Sequence, residues 1–189
     1  MDIKRILDSV SSLDDYTNSQ SKKPPIHLWE PTELRDSEMH IDTDGLWYHQ
    51  GDRIERIALS RLFASLLRKE DDDYFLITPQ EKFSIQVEDV PFILQTVSEI
   101  KENGVTSLVF TDELNEHVML QSDHELQLRN YNGVEVPYLC MRDDLFARVS
   151  RQCFYHLVEL SIAKMTQGRT EYFVSSDDQL FLIGVNSQS

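Results

Sequence analysis

Near the start of the chain, Ile3, Ile6, Leu7, Val10 and Leu13 recur at helical spacing, which predicts a short amphipathic helix. The run TNSQSKKPP follows, polar and ended by two prolines, the composition of a linker. A lone helix of this length is marginal without a surface to pack on. Beyond it, GLWYHQG alternates weakly between Gly45 and Gly51 and predicts a strand. Asp52 with Glu55 three positions later resembles a capping box. The expected helix runs over 52–69 with Gly51 or Asp52 at its N-cap. Ile54, Ala58, Leu62 and Leu66 form its apolar stripe, widened by Leu59 and Phe63. Trp47, on the preceding strand, is expected to be buried against this helix.

The pattern then turns to strands. In DDDYFLITPQEKFSIQV two apolar runs flank a turn that contains Pro79, the signature of a β-hairpin. VPFILQTVSEIKENG fits a helix or a strand equally well. TSLVFTDELNEHVMLQSDHELQLR holds three short strand-like pieces, and VEVPYLCMR a fourth. Asp143 or Asp144 is expected to cap a second helix over 143–166. That helix is apolar nearly all round through Leu145, Phe146, Val149, Phe154, Leu157, Val158 and Ile162, so it should lie in the centre of the fold. TEYFVSSDDQLFLIGV reads as a second hairpin.

Sliding the chain by 98 positions lays one hairpin on the other without a gap. Tyr74, Phe75, Phe83, Ile85 and Val87 then fall on Tyr172, Phe173, Phe181, Ile183 and Val185. Each hairpin follows a predicted helix, and each helix a strand. The expected fold is therefore α+β: two repeated strand-helix-β-hairpin units, mainly antiparallel, sharing one core, with a short helix ahead of them. The segments divide as 1–23 (helix and linker), 24–105 (first unit) and 106–189 (second unit).

The net charge of -15 on 189 residues changes the functional picture. A surface so acidic repels phosphate backbones, which supply most of the affinity for nucleic acid, so nucleic acid is not an expected partner. With 40% hydrophobic residues and 18 aromatic rings the chain has ample core material. Cys140 and Cys153 are the only cysteines, without CxxC or zinc spacing; a buried free thiol is the expectation for Cys153. The first residues lack the apolar run and cleavage site of a signal peptide, and no stretch is apolar long enough to span a bilayer. The cytoplasm is the expected location.

Candidate chemistry is sparse. GxxxxGK[ST], GxGxxG, HExxH and GxSxG are all absent, which leaves phosphate loops, dinucleotide sites, zincins and nucleophile elbows unsupported. His117 and His124, beside Glu116, Asp123 and Glu125, are the best metal candidates, yet they lie in predicted turns; no metal or cofactor is expected. His156 sits on the second helix, where a hydrogen-bonded core histidine is the simpler reading. Trp47, His49 and Arg53 gather ahead of the first helix as a packed joint or a ligand site. Arg53, Arg56, Arg61 and Arg68 flank that helix's stripe and could receive an anion, although pairing with the nearby acids Glu70 to Asp73 explains them too. Glu81 and Lys82 stand at the Pro79 turn. The ligand-binding candidates are therefore Trp47, His49, Arg53, Arg56, Arg61, Glu81 and Lys82.

PPIHLWEP, GLWYHQGDRI, LSRLFASLLR, DDDYFLITPQEKFSIQVEDVPF, VPYLCMR and FYHLVEL, in this order and spacing, resemble the uncharacterised bacterial family called domain of unknown function 1285, over about Pro24 to Leu160. The resemblance implies an α+β fold with repeated motifs and a signalling or regulatory role, and it carries no catalytic residues. The leading expectation is a non-catalytic cytoplasmic module that binds an unknown protein or small-molecule ligand. The alternative is an enzyme whose unfamiliar site gathers His49, Arg53 and Glu81. A deep pocket of converging titratable groups would favour the enzyme, and a shallow groove or apolar patch the module.

Overall fold

The computed structural model describes residues 3–11, 24–124 and 126–187. It divides into two compact units, Met1–Pro91 and Phe92–Ser189. The expected boundary at 105/106 falls one strand further on, beside the turn of a hairpin.

Unit 1 holds α1 (Ile3–Ser11), a single 3-10 turn at Ile26–Leu28, β1 (Glu33–Ile41), β2 (Trp47–His49), β3 (Asp52–Arg53), α2 (Ile57–Leu66), β4 (Leu67–Glu70), β5 (Asp73–Ile77) and β6 (Glu81–Val87). One six-stranded sheet has the order β3-β2-β1-β6-β5-β4. All pairings are antiparallel except β1 with β6. Trp47 is 2% exposed, its ring 6.2 Å from that of Phe63 on α2; Trp47 is thus a packed joint between strand and helix. Ile41, Leu66, Leu67, Leu76, Ile77 and Phe83 complete the core.

The first helix is shorter than its stripe implied. Asp52 and Arg53 pair with His49 and Tyr48 as β3, and Ile54 N–H donates to Trp47 O at 2.8 Å, so these residues extend the strand ladder and no capping box forms. The N-cap is Arg56, whose side chain makes no capping bond. The buried face is Ser60, Phe63, Ala64 and Leu66, while Ala58 is exposed. From Leu67 the chain turns extended to pair with β5.

Unit 2 holds β7 (Phe92–Glu102), β8 (Val105–Asp112), β9 (His117–Met119), β10 (Leu126–Tyr131), β11 (Val134–Arg142), β12 (Leu145–Val149), α3 (Arg151–Glu159), β13 (Ile162–Thr166), β14 (Arg169–Ser176) and β15 (Gln179–Ser187). Its sheets have the orders β10-β11-β12-β7-β8-β9 and β13-β14-β15, with β12 and β7 the parallel pair. Ser176 ties them: its hydroxyl donates to Leu120 O at 2.5 Å and accepts from Leu108 N–H at 2.8 Å. The ambiguous stretch 90–104 is thus the long strand β7 and the turn after it.

The second predicted helix is mostly something else. Asp143 and Asp144 have positive φ (42° and 58°) and form the two-residue turn between β11 and β12 rather than a cap. All five residues of β12 are buried, and a strand buried on both faces has the continuous apolar run that also suits a buried helix. Ser150 is the N-cap of α3, accepting from Cys153 N–H at 3.2 Å. The helix is peripheral: Cys153 and Leu157 are buried, whereas Tyr155, His156 and Val158 are exposed. Burial pushes the Cys153 thiol up to about 12; Cys140 and Cys153 are not joined in a disulfide.

Candidate functional site

The turn Thr78-Pro79-Gln80-Glu81 sets the charge chemistry of unit 1. Thr78 Oγ1 donates to Glu81 O at 2.9 Å and accepts from Glu81 N–H at 3.0 Å, so the start of β6 is fixed. Successive residues of a strand face opposite sides, and Glu81 and Lys82 accordingly join different clusters. Glu81 is buried and lies opposite Glu33 of β1. Arg35, two residues beyond Glu33 on the same side, clamps both carboxylates: Nε donates to Glu81 Oε1 at 2.5 Å and Nη2 to Glu33 Oε2 at 2.9 Å. Its pKa is raised, chiefly by the bond to Glu81. These side chains, with Arg5, Asp8 and Ser9 of α1, line an open cavity of about 490 Å³.

Lys82 points the other way. Nζ lies 2.5 Å from Glu70 Oε2 and 4.2 Å from the centroid of the Phe75 ring. Arg68, on β4 rather than on the helix, donates to the opposite side of Glu70 at 2.5 Å and to the Ile26 and Trp29 carbonyls. Burial raises the Glu70 carboxyl, but Lys82 and Arg68 outweigh it, and the net shift is downward.

The remaining candidates are not brought to this groove. His49 sits opposite Met39 of β1, and Met39 pairs beyond a bulge with Ile85, four residues from Glu81 on β6, roughly 13 Å along the strand at about 3.3 Å per residue and two strands across. Arg53 is exposed on β3 opposite Tyr48; Arg56 and Arg61 are exposed at the start and on the outer side of α2. The gathering of His49, Arg53 and Glu81 required by the enzyme reading therefore does not occur, because β1 holds them at opposite ends. Tyr48 instead stacks on His40, centroids 4.6 Å apart, and donates to Asp42 at 3.1 Å, which raises its pKa. His117 bonds Thr111 at 3.0 Å and His124 the Cys140 carbonyl at 2.9 Å; Glu125 lies outside the described residues. Among the described residues no three His, Cys, Asp or Glu side chains are grouped to hold a metal ion.

Unit 2 presents a different kind of groove. Val134, Phe154, Val158, Tyr172, Ile183 and Val185 line a cavity of about 510 Å³ in which Glu135 is the one charged residue. Around it Val134 (64%) and Val158 (41%) are exposed, and further along α3 and β13 so are Tyr155, Leu160, Ile162 and Met165. The sequence reading missed this surface, because it placed α3 in the centre. Elsewhere in the unit, Glu113 accepts from Ile93 N–H at 2.7 Å while its own N–H donates to Ile93 O at 3.2 Å. Burial, and after it the charge of Asp112, push its carboxyl up to about 8.

A sheet with two helices in unit 1, and two sheets with a peripheral helix in unit 2, define an α+β protein of mainly antiparallel strands. Residues 24–90 match the N-terminal domain, and residues 91–183 the C-terminal domain, of the protein family of unknown function DUF1285; the chain belongs to that family. Its fold is similar to that of a DUF1285 family protein from Silicibacter pomeroyi DSS-3, at 29% identity and a TM-score of 0.75 over 93% of each chain. A DUF1285 family protein from Shewanella baltica OS155 is similar at 27% identity and a TM-score of 0.52, over 64% of this chain and 90% of its own. No curated protein matches the chain. Among the described residues no helix is long and apolar enough to cross a membrane.

Proposed function

We propose that the protein is a non-catalytic, cytoplasmic binding module of a regulatory pathway, and that it recognises an apolar segment of a partner protein in the groove of unit 2 lined by α3, β11, β14 and β15. The observation that carries this reading is the mainly apolar groove lined by Val134, Phe154, Val158, Tyr172, Ile183 and Val185, in a unit that also exposes Tyr155, Leu160, Ile162 and Met165. An exposed apolar groove marks an interaction site when something covers it. The separation of His49 and Arg53 from Glu81 removes the main support for an enzyme.

A duplicated origin of the units fits the same reading. In each, a helix leads into a three-stranded antiparallel meander, α2-β4-β5-β6 and α3-β13-β14-β15. At the offset of 98 the pairs Leu76↔Phe83 and Ile77↔Lys82 correspond to Val174↔Phe181 and Ser175↔Leu180. The register agrees until the irregularity between Tyr172 and Phe173. On this view the copy in unit 2 diverged by turning an apolar helix face outward.

The test is affinity capture from the native lysate with the wild-type chain and a Val134→Asp, Val158→Asp double variant of unchanged thermal stability. A protein retained by the wild type and lost by the variant is the expected result. Identical retention by both chains would remove the surface from consideration.

A further inference from the structure

The segment ahead of the family-matched region has a seat of its own in unit 1. α1 lies beside the Glu33–Arg35 end of β1 and the start of β6, where Arg5, Asp8 and Ser9 share a cavity with Arg35, Gln80 and Glu81. Ile6 is 1% exposed, and Arg5 Nη2 stands 3.5 Å from Glu81 Oε1. Ile3 and Leu7, on the same side of the helix, are half-buried, and Lys4 and Arg5 are exposed.

This hold is light. An ion pair whose arginine side chain is 52% exposed adds little. One fully buried isoleucine is a small apolar anchor, and nine residues are too few for a helix to persist by itself in water. Glu81 does not depend on α1 for a counter-charge, because Arg35 already donates to the same oxygen at 2.5 Å. The cavity of about 490 Å³ also remains open beside the helix, so the seat is occupied without being filled. It thus buries one aliphatic side chain, Ile6, next to a fixed carboxylate, and an amphipathic helix with a cation one position from its buried aliphatic residue matches both.

We propose that this seat is a docking groove for amphipathic helices, that α1 is its tethered occupant, and that a partner helix carrying an arginine beside a buried isoleucine displaces α1. Twelve residues join α1 to Pro24, so a released α1 stays at an effective concentration on the order of 1 mM and sets the affinity that a partner must exceed. The inference involves other residues than the apolar surface of unit 2 and stands independently of it.

The probe is a fluorescent peptide of residues 1–16, titrated by anisotropy into the full-length chain and into a full-length Ile6→Asp variant, whose own helix can no longer enter the seat. The variant should bind the peptide at least tenfold more tightly than the wild type. An Arg5→Glu peptide should bind the variant at least fivefold more weakly, since that change leaves the protein itself intact. Equal binding to both chains, binding to neither, or binding indifferent to Arg5→Glu would overturn the proposal. So would an Ile6→Asp chain that melts or unfolds early, because α1 would then belong to the core and could not be exchanged.

Discussion

Glu70 in unit 1 and Glu113 in unit 2 are both drawn away from solvent, and they end in opposite states. Glu70 has Lys82 on one oxygen and Arg68 on the other, which overcome its burial and hold its carboxyl below the usual range. Glu113 has a backbone N–H and, nearby, the negative charge of Asp112; burial dominates and its carboxyl titrates at about 8. Burial alone therefore does not decide the charge of an acid; the partner that the fold places within reach does. Rings differ as well: Trp47 of unit 1 is buried, whereas Tyr155 of unit 2 is exposed.

The contrast between rings gives the largest expected effect. Trp47→Ala should destabilise the protein by about 3 to 5 kcal/mol, the range for removing a buried large aromatic. Tyr155→Ala should change stability by roughly 0.5 kcal/mol or less, as for exposed positions generally. Urea unfolding of the two variants measures both, and similar costs would erase the distinction between an inner and an outer ring.

Glu113 comes next. The unfolded state releases this proton near 4.5, and the folded state keeps it until about 8. The folded state therefore binds the extra proton between those values, and its stabilising contribution is complete below about pH 4.5 and lost as pH rises through 8. The span corresponds to several kcal/mol at most, at ~1.4 kcal/mol per unit. Glu113→Gln should flatten this alkaline decline, and the variant should be more stable than the wild type at pH 9. Parallel stability–pH curves for the two chains would show that folding leaves the titration of Glu113 unchanged.

Glu70 sharpens the comparison from the other side and with the smallest effect. Its lowered carboxyl contributes stability that is present above the ordinary value and is lost as pH falls through the folded one. Lys82→Met should cost about 1 kcal/mol or less at pH 7, given the partial exposure of the pair, and should cost nothing at pH 2. A loss that persists at pH 2 would mean that Lys82 acts through its packing on Phe75 instead.

The legible parts of the fold were those with a local physical signature. Trp47 between two glycines, and the alternation Phe83, Ile85 at the Pro79 turn, specify a buried ring and an inward strand face, and both occur. Leu145 to Val149 misled because a strand covered on both faces has no period of two. The Asn103–Gly104 and Asn132–Gly133 pairs, with both residues at positive φ, are strong two-residue hairpin signals; weighing the first would have settled 90–104 as a strand and its turn. Ser150 was a better cap than either Asp before it. Of the candidate sites, Glu81 was found, but its clamp was not. Arg35 reaches it only through the parallel pairing of β1 with β6, a long-range contact that no local pattern encodes. The exposure of α3 was equally hidden, since an apolar helix reads the same whether its outer face is covered by its own chain or left bare.

The two parallel pairings also set the tempo of folding. Most neighbours in the sheets are joined by short turns and can zip as hairpins, on the order of 1–10 μs. Glu33, however, must find Glu81 and Phe92 must find Ala147, and each such closure carries the entropy of a long loop. Each unit is thus expected to have one late seam, with amides of β5–β6 and β10–β11 protected from exchange before those of β1–β6 and β7–β12 in pulse-labelling experiments. On the ribosome, unit 1 could then close its seam once β6 had emerged, while β7 onward was still being made.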